Sequence, residues 1–332
     1  MSTTLNRQAT PVISSASPPS LGTLARVVLR LHRGALVTWL AVVVLVAVGL
    51  VWLRSVGVSA TPDCWGQPGC LPGDRGVNPG LMLHLEWSVR TVPLLLSALP
   101  VAVAAWAGAA LTGAEQERGT VAFAWTQSVS PRRWIAVKWS VAGALLVAGV
   151  GLLVPLYVWA RSLPYMTESP MNDWTVWLLS SAPGPATPAL YLLALTLGAY
   201  TGLLLRRSLA ALAVSAVAMF GVVKGLPPLI PHLWPAERIL GWERGAAPAK
   251  AWVVSEEAVD AQGRAVSMDG CYRESDALVR QCVEAKGGVG FETVHHPVSH
   301  ALPLHLAETA LLLVLTAVLA FAALRLLRRR TA

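Results

Sequence analysis

Histidines form the densest cluster of side chains that could carry chemistry. The stretch HHPVSHALPLH, from His295 to His305, contains four of them, and imidazoles at such spacing can bind zinc. The metalloprotease signature HExxH is absent, and Pro297 and Pro303 argue against a single helix that presents all four rings. The cluster therefore allows two interpretations, a metal site of a membrane enzyme or an ordinary loop that leads into the last apolar run.

A second polar stretch lies between two long apolar runs, from Leu111 to Trp139 (LTGAEQERGTVAFAWTQSVSPRRWIAVKW). It holds two acids, Glu115 and Glu117, on a side of the chain that is otherwise basic. A plain connection between helices can be about five residues long, whereas this one is about 20 and contains the apolar VAFAW. We therefore expect a short helix that buries one face against a partner.

Composition places the chain in the membrane class. Of its 332 residues, 55% are hydrophobic and only 13% are charged, whereas soluble domains contain about 25% charged residues. The formal charge of +8 follows the apolar runs, and no separate basic tract suggests a nucleic-acid partner.

The apolar runs predict an all-α integral membrane protein with six transmembrane helices, because about 20 apolar residues cross a bilayer as a helix. The predicted spans are 35–53, 92–112, 134–159, 187–205, 208–226 and 306–327. Only Arg206-Arg207-Ser208 separates the fourth span from the fifth, which predicts an antiparallel hairpin.

The bases predict the orientation of the spans. With the N-terminus in the cytoplasm, the inner side holds fourteen bases and two acids, and the outer side holds eleven bases and fifteen acids, leaving out Lys224 and Glu308. We therefore expect a multi-pass plasma-membrane protein with both termini in the cytoplasm.

The four cysteines fall in the first and last outer loops of this topology. Disulfides persist on the oxidising side of a membrane, so the sequence allows two local bridges, Cys64–Cys70 and Cys271–Cys282, or four free thiols. The outer loop at about 227–305 is large enough to form a small subdomain closed by the second bridge.

The N-terminal part of the chain divides into two segments. Residues 1–20 are rich in Ser, Thr and Pro and are expected to be disordered, which leaves 21–330 as the membrane domain. Within residues 21–33, Leu21, Leu24, Val28 and Leu31 recur at helical spacing opposite three arginines. This pattern predicts an amphipathic interfacial helix, or alternatively a simple extension of the first span.

Small residues occur at helix-packing spacing in two spans. Gly198 and Gly202 form a GxxxG motif, and Ala104 and Gly108 have the same spacing. Such residues allow close approach of helices and could form a dimer face.

Charged residues are nearly absent from the predicted spans. A secondary transporter would use charges there for ion coupling, so this function is disfavoured. Lys224 and Glu308, near the outer ends, could pair across the bundle, but we expect them to extend separately towards the interface.

The polar stretch resembles the segment between the second and third spans of type-2 ATP-binding cassette (ABC) exporter permeases, in a variant similar to an actinobacterial subgroup. The stretch GAYTGLLLRRSLAALAVSAVAMF resembles later spans of that subgroup. The residues that match the pattern of the polar segment are Glu115, Glu117, Gly119, Thr120, Ser130, Arg132 and Lys138.

The resemblance implies that residues 21–33 are a connecting helix and that residues 113–128 are a coupling helix that docks into an ATPase subunit. In that role, Glu115 and Glu117 would form charge pairs, Gly119 would permit a turn and Thr120 would cap the helix. Phe123 and Trp125 would then be buried in the partner. The alternative is that the acids only cap a helix end.

The resemblance also implies that this chain is not an enzyme and binds no cofactor, with ATP and Mg held by the partner ATPase. No P-loop motif is present in the chain. The implied partners are the ATPase, a second permease chain (identical or homologous) and the bilayer, and few polar residues in the spans suit an amphipathic or lipid-like substrate. A non-transporting membrane scaffold or sensor remains an alternative.

The predicted topology can be tested by cysteine accessibility in intact cells. A Ser128→Cys variant should resist a membrane-impermeant thiol reagent until the membrane is permeabilised, because Ser128 lies in the predicted cytoplasmic segment. Labelling of the introduced thiol in sealed cells would contradict the orientation.

Overall fold

The fold is known from a computed structural model that describes residues 20–60, 79–118, 130–162, 174, 184–243, 245–271 and 275–331. Apart from Ser20, the predicted N-terminal tail lies outside these residues. The α-helices are α1 (Leu21–Leu31), α2 (Arg33–Ala60), α3 (Pro79–Trp106), α4 (Ala114–Glu117), α5 (Pro131–Arg161), α6 (Ala186–Leu205), α7 (Ser208–Leu229), α8 (Asp276–Ala285) and α9 (Ala301–Thr331). A π-helix, Ala107–Gly113, joins α3 to α4, and 3-10 turns at Ile230–His232 and Val298–His300 adjoin α7 and α9.

Six helical segments are long and apolar enough to cross a membrane, which confirms the predicted all-α membrane architecture. Spans one to six are Arg33–Val58, Thr91–Glu117, Arg132–Arg161, Ala186–Leu205, Ser208–His232 and Val298–Arg330. Most extend past the predicted apolar runs because caps and backbone bonding, as well as apolarity, decide where a helix ends. At the start of span three, for example, a serine followed by Pro131 predicts an N-cap at Ser130, and Ser130 Oγ accepts a hydrogen bond from the Arg133 N–H.

The two ends of the bundle differ in character. The end at which α1, Arg118, Arg206, Arg207 and Arg328–Arg330 lie is named here the basic end. The opposite end carries three strands and α8 and is named the sheet end.

Helix α1 is a helix distinct from span one, because it ends at Leu31, His32 lies outside helical geometry as its cap, and span one begins at Arg33. Its buried residues are Leu24 and Val28, whereas Leu21 and Leu31, the ends of the predicted apolar stripe, are exposed. It packs mainly on span three. The amphipathic helix is therefore present, with a narrower buried face than the sequence predicted.

Span four is the central helix of the bundle. Of its most apolar window, 67% is buried, compared with 17–33% for the other five spans. Spans two, three, five and six all pack against it. Because the other spans leave apolar side chains exposed, their outer surfaces are suited to lipid or to other membrane helices.

The two small-residue motifs pack against each other within this chain. A Cβ atom on Gly198 would meet the Ala104 carbonyl oxygen and the Ala107 side chain, and one on Gly202 would lie 2.6 Å from the Gly108 carbonyl oxygen. Spans two and four therefore approach closely because these positions lack large side chains. The structure gives both motifs an intrachain role in place of the dimer face considered from the sequence.

The predicted hairpin between spans four and five is present. Arg206 adopts a left-handed conformation (φ 57°), and its N–H donates to the Gly202 carbonyl, which ends the helix. Span five begins two residues later, at Ser208. This short connection keeps the two spans antiparallel neighbours.

The sheet end contains an antiparallel sheet that the sequence analysis did not predict. The strands β1 (Glu237–Gly241), β2 (Trp252–Asp260) and β3 (Gly288–His296) have the order β1-β3-β2. Helix α8 packs on β3 around a small core that includes Val279, Val283 and Phe291.

A disulfide joins Cys271 to Cys282 beside this core, which is the second of the two local bridges allowed by the sequence. Cys64 and Cys70 lie outside the described residues. The loop between the fifth and sixth spans is therefore a folded α/β unit closed by a covalent bond.

The contact between spans two and four can be tested with Gly202→Leu. The new side chain would overlap span two, and such overpacking costs about 1–3 kcal/mol, so we expect a lower unfolding temperature in detergent. The control Gly221→Leu points into open space on span five and should unfold like the parent chain. Equal unfolding temperatures for the two variants, measured by circular dichroism, would contradict the close contact.

Candidate functional site

The polar segment begins within the last turns of span two, in a stretch of π-helix that lies between spans four and five. Thr112 Oγ1 donates to the carbonyl oxygens of Ala107, in its own helix, and Ala199, in span four, at 3.3 and 3.2 Å. Gly108 faces span five so closely that a Cβ would lie 2.8 Å from Ser215 Oγ. A π-helical turn is wider than an α-helical one and is often found at functional sites. Here it orients the residues that follow, which include Glu115 and Glu117.

Glu115 forms an ion pair with Lys138 of span three. The Lys138 Nζ atom lies 2.7 Å from Glu115 Oε1 and also donates to the Leu111 carbonyl oxygen at 2.7 Å. The Lys138 side chain is 2% exposed and that of Glu115 is 28% exposed. A buried ammonium is tolerated only when it is paired and hydrogen-bonded, so this contact fixes the end of span two on span three.

Glu117 caps the N-terminus of span five. Its Oε2 atom accepts a hydrogen bond from the Ser208 N–H at 2.9 Å and a second from the Ser208 hydroxyl. A carboxylate is favourable there because the first N–H groups of a helix are unpaired and carry partial positive charge. The sequence allowed two roles for the acids, a charge pair with a partner or the cap of a helix end. The structure shows Glu117 as a cap, and the helix that it caps is span five, which is distant in the sequence.

His32 lies beside the ion pair, at the junction of α1 and span one. Burial, with a smaller contribution from the positive charge of Lys138, lowers the pKa of His32, so the ring is neutral at pH 7. Its ring meets Trp106 edge-on at 5.8 Å between centroids. The sequence analysis did not select His32. A single polar ring at the end of an amphipathic helix, just before an apolar run, was the available signal.

A cavity of about 520 Å³ opens at this position. Its lining combines polar side chains, among them Glu115, Arg118 and Lys138, with the aromatic rings of Trp134 and Trp139. We name the ion pair, the Glu117 cap, His32 and this cavity the polar junction.

Both predicted acids thus make their polar contacts with other residues of this chain. The other predicted docking residues, Gly119, Thr120, Phe123 and Trp125, lie outside the described residues. The short helix that is described, α4, continues directly from the π-helix. The sequence signal for a partner of Lys138 was its position within an apolar run, because charged residues in spans usually have partners.

The histidine cluster is divided between two locations. His296 Nδ1 lies 3.1 Å from His300 Nδ1 at the end of the sheet, whereas His305 lies in span six beside Glu308. Burial is the main cause that lowers the pKa of His296. No group of three or more His, Cys, Asp or Glu side chains among the described residues is arranged to hold a metal ion.

The expectation for Glu308 was wrong. Its side chain is fully buried in the bundle, with Oε2 3.9 Å from His305 Nδ1, and does not extend to the interface. The reason is that span six packs on span four, and Leu304 and Leu312 on either side of Glu308 belong to the core that span four forms, so the side chain faces protein. Lys224 is exposed, with Nζ 5.9 Å from the centre of the Phe220 ring, as expected.

Comparison with known families gives one result. The family model described as "ABC-2 membrane transporter related" matches residues 34–230, which is more than half of the chain. This range covers the first five spans apart from Arg33 and residues 231–232, and the polar junction apart from Leu31 and His32. Searches of the curated proteins and of the solved structures find no significant match.

The ion pair can be tested by a double-mutant cycle. Lys138→Met should lower the free energy of unfolding by about 3 kcal/mol, because it leaves a partly buried carboxylate without its ammonium partner. Lys138→Met combined with Glu115→Gln should cost less than the sum of the two single changes. The exposed Arg132→Gln in the same span serves as the control. Additive costs in detergent unfolding would show that the pair is not coupled.

Proposed function

The chain belongs to the ABC-2 membrane transporter related family, and from that premise we propose that it is the permease subunit of an ABC exporter. The family is a membrane component of ABC transporters and is not itself catalytic, and such permeases associate with an ATPase subunit. The observation that carries the proposal is the family match over spans one to five. In this proposal, ATP and Mg are bound by the partner ATPase, and this chain holds no cofactor.

In the proposed orientation the basic end faces the cytoplasm, and so do both termini. The concentration of Lys and Arg at that end supports it, because cytoplasmic loops carry an excess of these residues. The disulfide between Cys271 and Cys282 at the opposite end supports it independently, since disulfides persist in oxidising compartments.

The proposed coupling element is residues 113–128. Its two ends are well anchored, since Glu115 and Glu117 attach the first end to spans three and five and Ser130 caps the start of span three. We assign docking to Gly119, Thr120, Phe123 and Trp125, and a positioning role to the two acids. A force applied to this element by the ATPase would then reach spans three and five through polar contacts.

Two further assignments rest on the family resemblance, for the number of chains, and on the apolar character of the spans, for the substrate. We propose that two permease chains, identical or homologous, enclose the transport path, and that the substrate is amphipathic or lipid-like. The actinobacterial subgroup remains a prediction from the resemblance.

Docking can be tested by purifying the chain together with its ATPase. Phe123→Ala combined with Trp125→Ala should reduce the amount of co-purified ATPase at least tenfold, because burial of aromatic side chains supplies much of an interface's energy. Gly119→Val should retain ATP hydrolysis but uncouple it from transport in proteoliposomes.

The matched control is Leu240→Ala combined with Val253→Ala, which truncates two exposed apolar residues at the sheet end. This variant should keep both the ATPase and transport. If the aromatic double variant also keeps both at the parent level, residues 113–128 are not the coupling element. If the parent chain binds no ATPase, the permease assignment fails.

A further inference from the structure

Two cavities of different chemistry lie end to end beside α1. The first, of about 440 Å³, is lined almost entirely by apolar side chains of α1 and spans one, two and three. The second is the 520 Å³ cavity of the polar junction. Both are lined by His32 and Leu111, so they adjoin at these two side chains, and together they are named here the cleft, with an apolar part and a polar part.

The apolar part has the length of one lipid leaflet. Its lining runs from His32, the cap of α1, to Val42 of span one, which at 1.5 Å per helical residue is about 15 Å. This is half of the roughly 30 Å hydrocarbon core of a bilayer. A cleft of this length that begins at the basic end would reach about the middle of a bilayer.

The polar part carries a net positive charge. Its lining includes Arg118 and Lys138 as bases and Glu115 as the acid. Among the described residues, His32 Nε2 and Trp139 Nε1 have no hydrogen-bond partner, although both atoms are buried. Unpaired buried polar atoms are costly, and a ligand that supplies anionic oxygen atoms would balance the excess positive charge of the lining.

We propose that this cleft binds one anionic phospholipid from the leaflet at the basic end. An acyl chain occupies the apolar part, and the phosphate lies at the polar junction near Arg118 and Trp139. A second copy of this chain fits the cleft less well, because its basic end would bring further positive charge to a site that already has an excess. The inference does not depend on transport, on the ATPase or on the orientation of the chain.

The test is native mass spectrometry of the purified full chain after reconstitution with equal amounts of phosphatidylglycerol and phosphatidylcholine. We expect one phosphatidylglycerol to remain bound per chain, at least tenfold in excess over phosphatidylcholine. Ala142→Trp fills the apolar part and should reduce this retention at least tenfold. The control Ala144→Trp, exposed on the same span and outside the cleft, should retain the lipid.

The headgroup is tested separately, so that the result does not depend on the folding of Ala142→Trp. Arg118→Gln should abolish the preference for phosphatidylglycerol, whereas Arg132→Gln, exposed at the same end and outside the cleft, should keep it. Equal retention of the two lipids by the parent chain would overturn the proposal, and so would unchanged retention in both Ala142→Trp and Arg118→Gln. Loss of a chain dimer in Ala142→Trp without loss of lipid would assign the cleft to a second copy instead.

Discussion

The close contact between spans two and four is the constraint on which the rest of the bundle depends. Gly198 and Gly202 allow the backbone of span two to lie directly against span four. Lipid is as apolar as the helix surfaces, so packing of this kind, together with hydrogen bonds, holds membrane helices together. Because span four is also the most buried helix, a shift at this contact would displace neighbours on several sides.

The polar junction follows from that contact. With Gly108 against span five and Thr112 bonded to span four, the last turns of span two have little freedom. The π-helical stretch then directs Glu115 towards span three and Glu117 towards the first turn of span five. Each carboxylate satisfies a group that would otherwise be unpaired, an ammonium in one case and a helix N-terminus in the other.

Two charged residues that are buried in the bundle show a common arrangement. Lys138 and Glu308 are both buried, one near each end of the bundle, and each lies close to a polar group of its own chain. Such an arrangement is expected where water is absent, because an isolated charge in hydrocarbon is very unfavourable. The cleft beside α1 differs from this pattern, since its polar part keeps an excess of positive charge beside a path that leads into the apolar region.

The sequence alone determined the number of spans, the hairpin between spans four and five and the cap at Ser130. Each depends on local properties, namely the length of an apolar run, the shortness of a connection and the chemistry of one side chain. The local disulfide between Cys271 and Cys282 was among the pairings that the sequence allowed for the same reason.

Only the tertiary structure decided which distant groups meet. The partners of Glu115 and Glu117 lie 23 and 91 residues away along the chain, and sequence periodicity indicates a buried face without identifying what covers it. The sequence allowed the two small-residue motifs to face either a second chain or each other, and the structure shows that they face each other. Glu308 faces protein for the same reason, because the packing of span six on span four, a long-range contact, decides which of its side chains are buried. The sheet was missed because its strands carry mixed polar and apolar residues, and pairing between strands separated by more than 25 residues leaves no local signal.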